Sequence, residues 1–380
     1  LAEGVLAPMG RIIDREGARV EDGRVKLAAA QHDAWRQFCD GGWMTLTVPV
    51  AQGGQGLPMV ALGAVHELFE RASIAFCMLP GSSRSAARLL ETHGTAEMQA
   101  EWLPKLASGE WGATICISEP DAGSDLGRAR TRAEEGPDGW RVTGEKIWIS
   151  YGDHDLTARI GHMVLARTEA DSIGTRGLSL FLVPSVLPDG ARNAVVTRRI
   201  EEKMGLHGSP TCALGFEGAA GTLIGERGRG LPQLFRMVIA MRLSVGVQGT
   251  ALAAGAEAVA RGYAAERKQG GRPDAPPVPI DSHPDVQRML TQMRGTVEGM
   301  RGLVLAASAI ADLADLEPDA AARAEAASLL SFLLPLVKTG GAEAGFAVAS
   351  EAIQVLGGAG YRTGYFGKVH YGTHDAPGSA

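Results

Sequence analysis

The sequence predicts an α+β protein with an N-terminal helical domain at 1–110, a middle β-domain of barrel or sandwich type at 111–226, and a C-terminal four-helix bundle at 227–361. Three observations support this order. Apolar residues recur every three or four positions in the first 110 residues, short β-type runs separated by turns fill the middle, and long Ala-rich helical patterns follow. The last segment, 362–380, fits none of these patterns, and we treat it as an aberrant tail.

Helical periodicity dominates the first domain. The pattern predicts helices at 1–15, 28–39, 59–75 and 83–93, and Trp102, Leu103 and Leu106 close the domain. Gly- and Pro-rich turns such as 51–58 separate the helices. The sequence begins with Leu1 inside an amphipathic pattern and without a signal-peptide pattern. We therefore expect the first helices of the domain to be missing.

The residue types change at Trp111. The sequence predicts strands at 113–117, 140–143, 146–150, 163–166, 178–183, 194–197 and 212–216. Pro-Asp-Gly turns at 137–139 and 188–190 separate some of them. Short strands at this spacing are typical of a small barrel or sandwich.

Long helical patterns return in the last domain. We expect four helices, at 231–267, 285–316, 319–338 and 341–356, with a Pro-rich break at 272–284 after the first. Gly246, Gly249 and Gly255 stand at small-residue spacing in the first helix, which permits close contact with a neighbouring helix. Apolar stripes on helices of this length favour an antiparallel bundle.

The composition is that of an ordinary soluble globular protein, with 45% apolar and 21% charged residues among 380. A net charge of -6 gives no electrostatic reason to expect nucleic acid or an anionic membrane as a partner. Because the apolar run at 329–337 is short and contains Pro335, we expect no membrane span. The four cysteines lie far apart without metal-ligand spacing, which favours reduced thiols in a cytoplasmic protein.

The segment 117–125 carries the densest group of candidate binding residues. It follows a predicted buried strand, and Pro120 and Gly123 turn the backbone out of that strand. Ser118, Ser124 and Asp125 then place hydroxyl and carboxylate groups beside exposed backbone N–H groups. Such a turn suits a phosphate-bearing ligand, although an ordinary Pro/Gly turn has the same composition.

Other motifs also have two readings. Trp148 and Ser150 share one face of a predicted strand and would suit a planar heterocycle with a polar edge, but a core tryptophan gives the same pattern. His207 has no carboxylate obviously placed to orient it as a base. Arg267 either caps a helix or binds phosphate. The glycines of 354–361 either end a helix or admit a close ligand.

Taken in order, these segments closely resemble the acyl-CoA dehydrogenase family. The resemblance is carried by 102–109, 118–125, 144–152, 204–211, 225–230, Arg242, 263–269 and 354–361. The segments at 154–156, 188–190 and 283–286 resemble the longer bacterial subclass with a C-terminal extension.

The resemblance implies FAD as the cofactor, bound between the β-domain and the bundle and completed by a second subunit of a homodimer or homotetramer. Ile117 and Ser118 would contact the pyrimidine edge of the flavin, Trp148 would lie against its isoalloxazine, and Ser150 would hydrogen-bond near N5. Ser124 would touch phosphate or the acyl-CoA entrance, and Arg242 would lie near the acyl-CoA. Arg267, Gln354, Gly357 and Gly358 would hold the pyrophosphate and adenosine of the neighbouring subunit's FAD.

The implied reaction belongs to fatty acid β-oxidation. An acyl-CoA is oxidised to the trans-2-enoyl-CoA, and the electrons pass to an electron-transferring flavoprotein. A carboxylate in a desolvated pocket suits removal of the α-proton, because burial raises its pKa.

The sequence departs from the family at this catalytic base. Most members carry a Glu in a Tyr-Glu-Gly-Thr run, but no such Glu follows Tyr361. The other branch places its Glu immediately before the bundle arginine, and that position is Met241 here. We therefore name no catalytic residue and expect impaired proton abstraction. A shifted reading frame over 370–376 can encode the expected family segment, so we hypothesise that the tail is frame-shifted and the chain truncated.

Two alternatives remain at this stage. The chain could be a non-catalytic relative that binds flavin or acyl-CoA, or an oxygen-using flavoenzyme similar to the acyl-CoA oxidases. Flavin reduction by an acyl-CoA in the absence of oxygen would separate binding from dehydrogenation, and peroxide formation would mark an oxidase.

Overall fold

The computed structural model describes residues 1–169, 172 and 174–357, without the side chain of residue 51. Within these residues the predicted order of a helical domain, a β-domain and a second helical domain is confirmed. Gly358 and the tail at 362–380 lie outside the described residues. The predictions made for them stay predictions.

The N-terminal domain contains five α-helices and one small hairpin. After a π-helical turn at Ala2–Leu6, its elements are α1 (Ala7–Glu16), β1 (Arg19–Glu21), β2 (Arg24–Lys26), α2 (Ala29–Asp40), α3 (Met59–Ala72), α4 (Ile74–His93) and α5 (Ala96–Ser108). The hairpin β1–β2 was not predicted. The predicted boundary at 75–83 was also wrong, because the chain breaks at Ser73. Ser73 is extended, and its hydroxyl caps α4 by accepting from the Phe76 N–H.

The middle domain is a closed barrel with two additional strands. Its strands are β3 (Trp111–Cys116), β4 (Arg132–Gly136), β5 (Gly139–Ser150), β6 (Arg159–Arg167), β7 (Leu178–Pro184), β8 (Val195–Ile200) and β9 (Thr211–Ile224). Pairing runs from β6 through β4, β5, β9 and β7 back to β6, which closes the ring. Strand β3 lies parallel to β6, and β8 pairs with β9.

Strand β5 joins two runs that the sequence suggested were separate, 140–143 and 146–150. Its register against β9 shifts between Val142 and Thr143 and again between Lys146 and Ile149. These irregularities bend one long strand instead of ending it.

The C-terminal domain consists of α6 (Gly230–Glu266), α7 (Pro284–Leu316) and α8 (Ala320–Leu356) in the described part of the chain. The predicted division at 338–341 was wrong, because α8 continues through Gly340 and Gly341. A Cβ atom on Gly341 would lie 3.0 Å from the Gly246 carbonyl oxygen, and one on Gly249 would collide with the Gly341 backbone. These glycines therefore allow α6 and α8 to approach closely.

Helix α6 connects all three parts of the molecule. It packs against α3 and α4 of the first domain, against β7 of the barrel, and against α7 and α8. An apolar cluster at its N-terminal half joins Leu234 and Met237 to Leu180 and Leu182 of the barrel. The residues around 241 are therefore held where the three domains meet.

Two described helices, α6 and α8, are long and apolar enough to cross a membrane by length and composition alone. Core helices of globular proteins pass the same test. Half of the most apolar window of α6 is buried within the chain, but only 17% of the corresponding window of α8 is. Helix α8 thus keeps a broad apolar face that the other described residues do not cover.

Candidate functional site

An ion pair between Glu119 and Lys146 fixes the turn that follows β3. Glu119 Oε1 lies 2.7 Å from Lys146 Nζ, and both side chains are buried. The Glu119 carboxylate also accepts hydrogen bonds from the backbone N–H groups of Arg130 at 2.6 Å and Thr131 at 3.1 Å. Lys146 Nζ donates a second bond, 2.9 Å long, to the Ile117 carbonyl oxygen. The pair thus ties the turn to β5.

Burial and ion pairing shift the pKa values of Glu119 and Lys146 in opposite directions. Burial alone would raise the pKa of the Glu119 carboxyl, but the Lys146 ammonium and the N–H donors outweigh it and hold that pKa below its ordinary value. Burial lowers the pKa of Lys146, and Glu119 offsets only part of this effect. Glu119 is therefore ionised at neutral pH and depends on the lysine to stay so.

A β-bulge turns Trp148 outward. In the ladder of β5 and β9, Lys146 faces Leu214 and Ile149 faces Cys212, so β5 contains one extra residue. Trp148 adopts φ +63°, which is rare for a bulky side chain and common at ligand-binding sites. The residue is 37% exposed. Without the bulge, strand alternation would place Lys146 and Trp148 on the same face.

Four of the predicted flavin contacts lie on adjoining segments. The Ile147 N–H donates to the Ser118 carbonyl oxygen at 2.9 Å, which joins the turn directly to the bulge. Ile117, Ser118 and Ser150 are half-buried, and Trp148 is exposed between the buried residues that flank it. The structure therefore brings these four residues onto two joined segments at a partly exposed part of the barrel.

Ser124 lies farther out, at the exposed end of the same turn. Neighbouring carboxylates pair locally, Asp125 with Arg128 at 2.7 Å and Asp121 with Arg130 at 3.3 Å. These exposed ion pairs stabilise the turn only weakly. The predicted role of Ser124 at a phosphate or acyl-CoA entrance fits this position and stays a prediction.

Met241 and Arg242 lie on helix α6, next to the turn that follows β3. Met241 packs on the apolar cluster that also receives Ile117. The Arg242 guanidinium carbon lies 5.9 Å from the ring centroid of Phe235, and the arginine is half-buried. Position 241 is thus an apolar side chain on the helix beside the turn.

Arg267, Gln354 and Gly357 lie together at the other end of the bundle. Arg267 caps the C-terminus of α6, and Gly357 ends α8 with φ +60°. Their helix ends are joined by an apolar cluster that includes Ala264 and Val355. Arg267 lies 26 positions beyond Met241 in sequence, which corresponds to about 40 Å along α6. One chain therefore does not bring these residues to Trp148.

The prediction that no carboxylate orients His207 was wrong. His207 Nδ1 lies 3.1 Å from Asp14 Oδ1, and Nε2 lies 2.9 Å from the Lys203 carbonyl oxygen. The separation of 193 positions between the partners hid this contact from sequence reasoning. Both side chains are over one-third exposed, and the pair joins α1 to the barrel rather than lining a cavity.

Sequence reasoning also missed a polar cluster inside the helical domains. Glu70 of α3 is buried, and its Oε1 accepts from Gln248 Nε2 of α6 at 3.3 Å, whereas Oε2 has no hydrogen-bond partner in the described structure. His66, one turn earlier, contacts Arg84 of α4 at 2.6 Å. The four-residue spacing of His66 and Glu70 on a largely apolar helix face was the available signal.

Glu70 provides a pH-dependent test of this cluster. Burial raises its pKa to about 8, against smaller opposing contributions from Gln248 and Arg84. Between the ordinary carboxyl pKa and about 8, the unfolded chain loses a proton that the folded chain keeps, so stability falls as pH rises. Relative to wild type, we expect the free energy of unfolding of Glu70→Gln to rise by about 4 kcal/mol between pH 4.5 and 8.5.

Urea unfolding of both proteins at the two pH values measures this difference. Titration of other groups cancels in the comparison because both proteins contain them. A stability difference between variant and wild type that is the same at both pH values would show that folding does not raise the pKa of Glu70.

Metal chemistry has no support in the residues that the structure describes. No group of three or more His, Cys, Asp or Glu side chains there could hold a metal ion. The four cysteines are free thiols, three of them buried.

Three family models match consecutive parts of the chain. They are described as the N-terminal domain of acyl-CoA dehydrogenase at residues 6–110, the middle domain at 114–219 and the C-terminal domain at 228–374. Together they cover nearly the whole sequence in the predicted order.

Curated relatives and solved structures agree with these matches. The chain is 42% identical over 368 residues to 3-methylmercaptopropionyl-CoA dehydrogenase of Ruegeria pomeroyi, covering 94% of this chain and 62% of the relative. It is 37% identical to the broad-specificity linear acyl-CoA dehydrogenase FadE5 of Mycobacterium tuberculosis, over 86% of this chain and 56% of that protein. The chain thus spans less than two thirds of either relative.

A solved acyl-CoA dehydrogenase from Bacillus anthracis, complexed with FAD, superimposes with a TM-score of 0.75 and 25% identity. The match covers 88% of this chain and 56% of that one.

Proposed function

This chain belongs to the acyl-CoA dehydrogenase family, and from that premise we propose that it binds FAD and an acyl-CoA thioester in a site built for α,β-dehydrogenation. FAD is the cofactor of the family. The observation that carries the proposal is the outward-turned Trp148 beside Ser150 and the turn at 117–125. Dehydrogenation would convert the acyl group to the trans-2-enoyl thioester.

The exposed edge of the barrel fits the flavin part of FAD. The left-handed conformation of Trp148 displays a flat apolar ring next to half-buried hydroxyls, which matches a planar heterocycle with polar atoms along one side. Trp148, Ser150, Ile117 and Ser118 would hold that ring. When bound there, FAD would supply the group that accepts the hydride leaving the β-carbon of the acyl group.

The distant position of Arg267 and Gln354 supports a site shared between two chains. These residues lie about 40 Å along α6 from the region of Met241, which is farther than one dinucleotide reaches. We propose that they hold the pyrophosphate and adenosine of FAD bound to the barrel of a second copy. The oligomer would be a homodimer or homotetramer.

The exposed apolar face of α8 is the surface we propose for this association. Phe332 is 68% exposed, Phe346 56% and Leu336 48%. Aromatic side chains commonly anchor such interfaces. A second copy would remove them from water, which would explain why α8 is as apolar as a core helix although the described part of one chain buries little of it.

A charge on this face is expected to weaken the oligomer. Phe332→Glu would place a carboxylate in the buried centre of the interface, and we expect the dissociation constant to rise by at least about tenfold. Leu68→Glu, an exposed leucine on α3, is the matched control. Light scattering across a concentration series measures the mass. Equal masses for both variants at every concentration would place the interface elsewhere.

We further propose that α-proton abstraction in this chain is slow. One family position for the base is Met241, whose thioether cannot accept a proton at neutral pH, and the sequence after Tyr361 contains no Glu. The same observation favours a second candidate function, a scaffold that binds flavin and acyl-CoA without turning them over. An electron-transferring flavoprotein as the acceptor and a cytoplasmic location belong to the first proposal.

Titration of the purified chain with FAD tests the binding proposal. We expect saturable quenching of flavin fluorescence with one FAD per chain, and a further spectral change when an acyl-CoA is added. Trp148→Ala should weaken FAD binding by about tenfold through loss of stacking, whereas Trp148→Phe should retain most of it. A folded wild-type chain that does not bind FAD would contradict the proposal.

A further inference from the structure

A small pocket lies between α3, α4, α6 and α7, close to the point where the three domains meet. Its volume is about 50 Å³, room for one or two water molecules or the end of an acyl chain. One side is apolar, formed by residues such as Leu62, Leu243 and Val247. The other side carries His66, Arg84 and Ser244. A pocket of mixed character on helices suits a ligand that has both an aliphatic part and a polar end.

Arg84 is the unusual member of this pocket. Its Nη2 contacts His66 Nε2 at 2.6 Å, and its Nη1 donates to the Trp43 carbonyl oxygen at 3.4 Å. No carboxylate of the described residues forms an ion pair with it. Arg88, one turn along the same helix, instead pairs with Asp315 at 3.3 Å. A half-buried guanidinium held by neutral groups keeps its charge available to an anionic ligand.

The titratable neighbours of Arg84 are uncharged at neutral pH and leave its positive charge uncompensated. Burial, with a smaller contribution from Arg84, holds the pKa of His66 well below its ordinary value, so the imidazole is neutral and accepts from the guanidinium. Burial raises the pKa of Glu70 to about 8, so that carboxyl is mostly protonated at neutral pH. Neither group neutralises Arg84.

The pocket adjoins the proposed acyl-CoA site. Ala240, Leu243 and Ser244 line it, and they flank Met241 and Arg242 on α6. Across the pocket, α4 has Gly81, where an added Cβ would stand 3.6 Å from Ser244 Oγ. Gly81 therefore adds no side chain to the pocket wall at this point. The wall formed by α6 lies within one helical turn of Met241.

We propose that this pocket receives the far end of the acyl group and selects acyl-CoA thioesters that end in a carboxylate. The inference rests on the proposed function, because it uses the same acyl-CoA site. A terminal carboxylate would accept hydrogen bonds from Arg84 and from the Ser244 hydroxyl. A terminal methyl group would displace water from the guanidinium without replacing its hydrogen bonds, which disfavours it.

Binding measurements on the FAD-loaded full chain test the inference. Isothermal titration compares glutaryl-CoA with pentanoyl-CoA, adipoyl-CoA with hexanoyl-CoA, and suberoyl-CoA with octanoyl-CoA, so that each pair has equal carbon number. We expect at least one dicarboxylate to bind about tenfold more tightly than its partner. In Arg84→Gln that preference should vanish, because the dicarboxylates lose their cationic partner, while the methyl-ended thioesters, which no longer desolvate a guanidinium, should bind no more weakly than to wild type.

Gly81→Ala is the second variant, because alanine is favoured in a helix and its methyl group narrows the pocket at an ordinary contact distance. This variant should bind the preferred dicarboxylate thioester several-fold more weakly than wild type does. If every methyl-ended thioester binds as tightly as its partner, the inference is wrong and the proposed function stands. If the folded chain binds no acyl-CoA at all, both are wrong.

Discussion

Replacing Met241 by Glu is expected to raise the rate of flavin reduction by an acyl-CoA by about 100-fold or more. Met241 is half-buried on α6, beside Arg242, and packs on the apolar cluster that also receives Ile117. A carboxylate in these surroundings loses hydration, so its pKa rises toward neutrality and it becomes an effective base. The substitution would supply the one chemical group that the proposed site lacks.

Met241→Gln is the matched control, because it has the shape and polarity of glutamate without a titratable carboxyl. Stopped-flow absorbance in the absence of oxygen, with FAD-loaded protein and hexanoyl-CoA or its best-binding homologue, measures the rate. Equal rates for Met241→Glu, Met241→Gln and wild type would show that the missing base is not at position 241. They would then favour a site that binds without catalysis.

Replacing Lys146 by Met is expected to destabilise the folded chain by about 3–5 kcal/mol. Lys146 is the only ammonium in contact with the buried Glu119 carboxylate among the described residues, at 2.7 Å. Methionine fills a similar volume but leaves that carboxylate buried without its counter-charge. The turn at 117–125 would also lose the bond from Lys146 to the Ile117 carbonyl oxygen. Urea unfolding at neutral pH measures the loss.

The double variant Lys146→Met with Glu119→Gln separates charge burial from packing. It removes both charges and keeps an amide oxygen for the N–H groups of Arg130 and Thr131. We expect it to recover at least half of the lost stability. Should the double variant be no more stable than Lys146→Met alone, the cost would come from lost packing or hydrogen bonds of the lysine and not from the isolated carboxylate.

The fold could be predicted because the spacing of apolar residues differs between the helical domains and the β-domain. The errors in the predicted boundaries occur at residue types, such as glycine and serine, that can either end a helix or lie within or beside one. The glycines at 340–341 suggest a helix end, but α8 continues through both, and Gly341 permits close contact with α6, which only the partner helix reveals. Ser73 was hidden inside an apolar pattern although its hydroxyl caps α4. The hairpin β1–β2 has strands of only three residues, which is too short to recognise an alternation of apolar and polar residues.

The candidate residues Ile117, Ser118, Trp148 and Ser150 could be named from the sequence, and the structure places them on adjoining segments. Their contacts with flavin stay predictions. The bulge that turns Trp148 outward depends on pairing with β9, over 60 positions away, so local alternation could not reveal it. Arg84 was missed for a similar reason. Its lack of a carboxylate partner in the described part of the chain follows from how the helices pack, and no single helix carries a sequence pattern that indicates it.

The visible absorption spectrum of the FAD-loaded wild-type chain, recorded without oxygen before and after addition of an acyl-CoA, tests the central claim most directly. The account predicts a bound flavin whose spectrum shifts on binding but does not bleach during the first minutes, while Met241→Glu bleaches under the same conditions. Rapid bleaching of the wild-type flavin would contradict it, because another residue of this chain would then be removing the α-proton.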